Sequence, residues 1–148
     1  VQFVEKFFGN SRFDIGTIDL IKPEWKSDKI SIYAHLKYKY VMALEGNDVA
    51  SNLKWIMSSN SIAVMPKPYY ETWFMEGTLK PDYHYIEVKP DFSDLEEKMD
   101  YYTAHPDEAQ AIINHAHEYV EQFKDKQRED IISLMVLDKY FSLLKSKD

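Results

Sequence analysis

Two short, unbroken apolar runs with a helix-spaced stretch between them, all inside residues 40–65, constrain this chain more than any other feature of its 148 residues. Tyr40-Val41-Met42-Ala43-Leu44 and Ser61-Ile62-Ala63-Val64-Met65 lack the polar alternation of a half-exposed strand, so each reads as a strand buried on both faces. Gly46-Asn47-Asp48 breaks the first run. Val49, Leu53, Ile56 and Met57 then recur at helical spacing, with Asn47 or Asp48 placed to cap the helix. A strand, a crossover helix and a second strand in so short a stretch predict a βαβ unit, which makes the strands parallel and the crossover right-handed.

The rest of the chain extends this unit. Pro66 and Pro68 force a loop, residues 70–76 read as one or two helical turns, and His84-Tyr85-Ile86-Glu87-Val88 reads as a third strand. Ser93 with Glu96 makes a capping box for a helix whose buried face is Leu95, Met99 and Tyr102. Pro106 suits a first helical position, and Asp107 and Glu108 behind it favour the helix dipole. Ala109, Ile112, Ile113, Ala116, Tyr119, Val120 and Phe123 keep one stripe for four turns, and a last helix runs over residues 128–144. The opening is less regular: a helix over 1–8 ending at Gly9-Asn10, a short strand at 13–15, a loop at 18–26 and a helix at 28–36. The pattern predicts one α/β domain with a mainly parallel sheet, made of a lead-in (1–36), a βαβ core (37–92) and a helical C-terminal third (93–148). Val1, Phe3, Val4, Phe7 and Phe8 give an apolar face from the first residue, which reads as a piece of a longer protein.

Composition narrows the function. The 45% hydrophobic and 15% aromatic content suits a packed core rather than a disordered chain. A formal charge of −7, spread along the chain, argues against a nucleic-acid partner held by its phosphates. Zero cysteines remove disulfides, thiol nucleophiles and thiolate zinc sites. No apolar run reaches the ~20 residues of a membrane span.

Ligands of parallel sheets sit beyond the carboxyl ends of the strands. That rule selects residues 45–48, 66–71 and 89–91, all opening on one side. In the first, a glycine turn running into a helix start can hold a phosphate on backbone N–H groups, and the plainer reading is a turn with an Asn or Asp cap. The second carries Tyr69, Tyr70, Glu71, Trp73, Phe74 and Glu76. Aromatic rings beside a carboxylate suit a sugar or nucleoside, and the plainer reading is an aromatic lid over the core. His115 and His117, two apart on a helix, point to different faces, and no metal site is expected. The acidic runs at 94–97 and 125–130 read as solvated helix faces.

The blocks Lys37-Tyr38-Lys39-Tyr40, Glu45-Gly46-Asn47-Asp48-Val49-Ala50-Ser51-Asn52-Leu53-Lys54-Trp55, Trp73-Phe74-Met75-Glu76-Gly77 and His84-Tyr85-Ile86-Glu87 together resemble glycosyltransferase family 90. That family spans bacterial lipopolysaccharide glycosyltransferases, fungal capsule-associated enzymes and animal protein O-glucosyltransferases; the combination of blocks is specific where no single block is. The resemblance implies a GT-B enzyme of two Rossmann-like halves, with this chain as the C-terminal, donor-binding half and the N-terminal half absent. It makes Glu45, Gly46, Asn47, Asp48, Val49, Ala50, Ser51 and Asn52 donor-site candidates, with Glu71 or Glu76 meeting ribose or sugar hydroxyls. The animal branch carries Arg-Gly in the turn and an arginine in the helix that neutralises diphosphate charge. Here Glu45-Gly46 and Asn52 stand at those positions, so the chain looks like the bacterial branch, and the neutralising role passes to Lys54 or to a residue outside the chain. The family's catalytic aspartate belongs to the other half, so no catalytic residue is assigned. The implied reaction is metal-independent transfer of a hexose from a nucleotide diphosphate sugar to a saccharide hydroxyl of lipopolysaccharide or an oligosaccharide. The implied setting is the cytoplasm, at the inner face of the bacterial inner membrane, with peripheral membrane association as an option.

Two other readings use the same residues. A non-catalytic α/β protein-interaction module would employ the aromatic loop and the last helix, whose apolar residues spread wider than one stripe. A nucleotide-binding regulatory domain would use the same loops without transfer chemistry.

Overall fold

The computed structural model describes residues 1–18 and 22–145. Three parallel strands, β1 (Tyr40–Met42), β2 (Ile62–Met65) and β3 (Ile86–Glu87), lie side by side in chain order with β2 in the middle. Val41 sits beside Ala63 and Val64 beside Ile86, the register that a pair of parallel crossovers produces. Among the described residues, six α-helices accompany them: α1 (Gln2–Phe7), α2 (Ile32–His35), α3 (Leu53–Met57), α4 (Leu95–Ala104), α5 (Pro106–Glu121) and α6 (Lys126–Lys145). The predicted α/β class with a parallel sheet is therefore observed.

The unbroken apolar character of the strands follows from burial on both faces. Ile62, Val64, Ile86 and Val88 join Phe3 and Phe7 of α1, Leu95, Met99 and Tyr102 of α4, and Ile112 of α5 in one core. Val41, Ala43, Ala63, Met65 and Tyr85 join Leu53, Ile56 and Met57 of α3, Phe74 of the following loop, and Ala116 and Val120 of α5 in the other. The α5 stripe thus serves both cores, as its four turns of apolar spacing require. Met57, Ile56 and Leu53 are all essentially inaccessible, which explains why so short a helix is stable: burial holds it, not its own hydrogen bonds.

Several local expectations change. α3 starts at Leu53 rather than near Val49, so Asn47 and Asp48 cap nothing; residues 43–52 form a loop. Asn52 stands at the helix start without a capping bond and instead donates its side-chain amide to the Met42 carbonyl at the end of β1 (2.9 Å). The capping box at α4 is also absent. Asp94 occupies the cap position without a capping bond and accepts from the Lys89 N–H (2.9 Å), while Glu96 is drawn away by Asn10 (3.1 Å) and Arg12 (2.9 Å). Residues 13–15 are not a strand, the helix expected at 28–36 is confined to Ile32–His35 with Ser31 as its cap, and residues 70–76 give way to a 3-10 turn at Glu76–Thr78. Residues 19–21 of the expected 18–26 loop lie outside the described residues. α6 forms over its predicted length, and Leu134, Leu137, Phe141 and Leu144 on it are all exposed. No described helix is long and apolar enough to cross a membrane.

His84, just before β3, is buried, and its Nδ1 accepts from the Lys80 N–H (2.9 Å), which requires the neutral ring. Burial first, then the charges of Lys80 and His115, lower its pKa from the ordinary histidine value. Above about pH 6.5 both folded and unfolded chains are neutral here, so the contribution of this site to stability is complete; below it the unfolded chain takes the proton first and stability falls. We expect the melting temperature to drop between about pH 7.5 and 5.5, and His84→Gln to flatten that drop. A wild-type profile already flat across this range would refute the assignment.

Candidate functional site

Because the three strands are parallel, the loops that follow them emerge on one side, and a crevice of about 280 Å³ opens there. Leu44 and Glu45 come to it after β1, Pro66 and Lys67 after β2, and Pro90 after β3. All three loops selected from the sequence therefore meet in one place. The first turn of α1, through Phe3, forms a further wall that the sequence did not point to. Phe92, whose ring meets Phe3 edge-on at 5.0 Å, also lines the crevice, and its backbone is left-handed (φ 56°).

Glu45 ties the first loop to the second. One carboxylate oxygen accepts from the Tyr69 N–H (3.0 Å) and the other from the Tyr70 N–H (3.1 Å). Both oxygens are thus partnered by amide dipoles, and the loop of residues 66–71 is clasped to the end of β1. The adjoining Tyr69 and Tyr70 rings lie edge to face at 5.1 Å, Tyr69 almost fully exposed.

The remaining candidates divide by burial. Gly46, Asn47, Asp48 and Ser51 are exposed, Val49 and Asn52 are half-buried, and Ala50 belongs to the core. Asp48 accepts from the Val49 N–H (2.8 Å), a bond inside the loop. At Gly46 an added Cβ would meet nothing within 4 Å and the backbone does not need a positive φ, so nothing inside the chain demands a glycine there.

Lys54 and Glu76, assigned from the sequence to diphosphate and to ribose or sugar hydroxyls, bind each other. The Lys54 ammonium lies 2.8 Å from Glu76 Oε1, and Glu76 is only 2% exposed. Thr72 donates to the same carboxylate from its N–H (2.7 Å) and from its hydroxyl (2.8 Å). Burial would raise the Glu76 carboxyl pKa, but the bonds from Lys54 and Thr72 outweigh it and hold the pKa below the ordinary value. The Lys54 ammonium also sits 5.4 Å from the Phe74 ring centre and 5.8 Å from that of Trp73, so the ion pair lies under the aromatic loop. Glu71, the other carboxylate candidate, is exposed, and its carboxylate lies beside Gly77, 3.3 Å from where a Cβ would stand. Trp73 is exposed and packs edge-on to Phe123 (5.4 Å), while Phe74 is buried; the aromatic loop is both lid and surface.

The arrangement offers an open crevice with apolar walls, an anion-compatible lysine at Lys67 and an exposed loop of small and polar groups beside aromatic rings. Lys67 lies within the second selected loop, and no local sequence pattern separates a lysine facing a crevice from one facing solvent. No group of three or more His, Asp or Glu that could hold a metal ion occurs among the described residues.

The family model for Glycosyl transferase family 90 matches residues 13–148. "O-glucosyltransferase LpsA" of Dichelobacter nodosus is 43% identical over 98% of this chain and 46% of its own length. "Protein O-glucosyltransferase 3" of Homo sapiens is 28% identical over 82% of this chain and 24% of its own. "Protein O-glucosyltransferase 2" of Danio rerio is 33% identical over 56% of this chain and 16% of its own. The chain spans less than half the length of each of these relatives.

Proposed function

Since the chain belongs to glycosyltransferase family 90, we propose that it is the donor-binding, C-terminal half of a GT-B glycosyltransferase that moves a hexose from a nucleotide diphosphate sugar to a saccharide hydroxyl. The observation that carries this reading is the crevice at the carboxyl ends of β1, β2 and β3, the place where open parallel sheets take nucleotides. The donor would lie across it, against residues 45–52, with Glu71 and the exposed aromatic rings within the same loop system for ribose or sugar hydroxyls. Glu76 and Lys54 would act from beneath, holding the aromatic loop. The short α3 offers no helix-end anion site, so phosphate contacts fall to loop groups.

The name of the Dichelobacter relative supports lipopolysaccharide as the acceptor class, reached through the other half of the enzyme. That half would supply the catalytic base, and the transfer would need no metal. The setting would be the cytoplasmic face of the bacterial inner membrane. The exposed apolar residues of α6 favour a second reading, a non-catalytic interaction module. Under the first reading the remaining length of the enzyme gives α6 its partner.

An amide NMR titration of this chain with nucleoside diphosphates and nucleotide sugars, up to millimolar concentration, tests the proposal; a millimolar dissociation constant is only about 4 kcal/mol, reasonable for half a site. Shifts concentrated in residues 45–52 and 66–76 support it, and shifts elsewhere or none overturn the site. Gly46→Ala sharpens the test. With open space around the glycine, stability should change by less than about 1 kcal/mol, while donor binding weakens severalfold because the methyl group stands where the ligand approaches. Unchanged affinity in that variant removes Gly46 from the site.

A further inference from the structure

Resting on that reading, we propose that Lys67 is the residue that meets the phosphates of the ligand in the crevice. Two charged side chains line it, Glu45 and Lys67. They are in opposite circumstances. The Glu45 oxygens are taken by the Tyr69 and Tyr70 N–H groups, so its charge is absorbed by backbone dipoles that hold a loop. Lys67 is exposed and forms no ion pair with any described residue.

Two other lysines near the site are committed. Lys54 is held by Glu76 beneath the aromatic loop, and Lys6 donates to the Asp91 carbonyl (2.6 Å). Pro68 restricts the backbone of Lys67 to extended conformations, and Pro66 precedes it, so the stem that carries the ammonium leaves the end of β2 in a narrow range of directions. A chain with a formal charge of −7 thereby places a cation where three strand ends converge. A lysine ammonium is a point charge that suits a phosphate without demanding one bidentate geometry. This gives the crevice a cation of its own, which the neutral Asn52 amide, tied to the Met42 carbonyl, does not supply.

The test compares inorganic pyrophosphate and the common nucleoside diphosphates, each diphosphate beside its uncharged nucleoside, by amide NMR titration of the wild-type chain, Lys67→Gln and Lys67→Arg. The expected result is a roughly tenfold weaker diphosphate in Lys67→Gln, the size of one charge-assisted contact, with nucleoside binding unchanged and Lys67→Arg close to wild type. Equal weakening of nucleoside and diphosphate would mean that Lys67 only shapes the loop, and overturns the proposal. Wild-type diphosphate affinity in Lys67→Gln overturns it too, while leaving the donor-binding reading intact. A wild-type chain that binds neither ligand overturns that reading, and this inference with it.

Discussion

Phe74→Ala is expected to destabilise the protein by about 4 kcal/mol, because a large buried ring leaves a cavity that its surroundings cannot refill. Phe74 is 1% exposed although it stands in a loop. Its ring stacks on Phe123 at 5.0 Å and meets Tyr119 at 5.3 Å, joining the aromatic loop to α5 and the turn that follows it. The Phe74 carbonyl accepts from the Tyr119 hydroxyl (2.6 Å), so the backbone is pinned at the same point. Removing the ring should therefore loosen the whole loop, not only one core. Urea unfolding followed by fluorescence checks this: a midpoint shift equivalent to less than about 1 kcal/mol would show that the loop collapses into the space. Phe74→Leu keeps most of the volume and should cost about half as much.

Glu76→Gln is the second large effect, at about 3 kcal/mol, because it leaves a partly buried lysine without its counter-charge. The carboxylate serves Lys54, the Thr72 hydroxyl and the Thr72 N–H together, and a glutamine can accept through only one of its two terminal atoms. The sign of the pH dependence follows from the lowered carboxyl pKa. Both states are ionised above the ordinary value of about 4.5, where the stabilisation is complete; it is lost as pH falls through the lower folded-state value. The wild-type chain should therefore lose stability below about pH 4.5 more steeply than Glu76→Gln. Parallel acid limbs for the two proteins would refute a charged Glu76 in the folded state. The same experiment bears on function, since a carboxylate that holds the loop from below is not free to bind a sugar hydroxyl from above.

The places where local reasoning and structure part company at the helix starts all concern polar groups. Asn47 and Asp48 look like caps, and Ser93 with Glu96 looks like a capping box, because caps are recognised by short spacing. In the folded chain Asp48 bonds the neighbouring Val49 N–H inside a loop, while several other polar groups are claimed by partners farther away in sequence. Asn52 goes to Met42 across the end of β1, Glu96 goes to Arg12 and Asn10, and Glu45 goes to Tyr69 and Tyr70. Arg12 also pairs with Asp100 on α4, which fastens the N-terminal segment to that helix. A short helix such as α3 gives up its first turn readily, because its residues are held by core contacts rather than by a cap.

By itself the sequence determined the three parallel strands, the two faces that they bury, the α5 stripe and the three loops that meet beyond the sheet. Those features come from apolar periodicity, and a buried side chain has one energetic preference wherever its neighbours come from. The family blocks were legible for the same reason, being strings of adjacent residues. Only the tertiary structure decided which polar group meets which: that Lys54 and Glu76 neutralise each other, that the Glu45 charge is spent on loop amides, that α1 walls the crevice, and that Lys67 remains beside it. Hydrogen bonds and ion pairs act over a few ångströms and are indifferent to sequence separation, so they are settled after the apolar faces have brought the loops together.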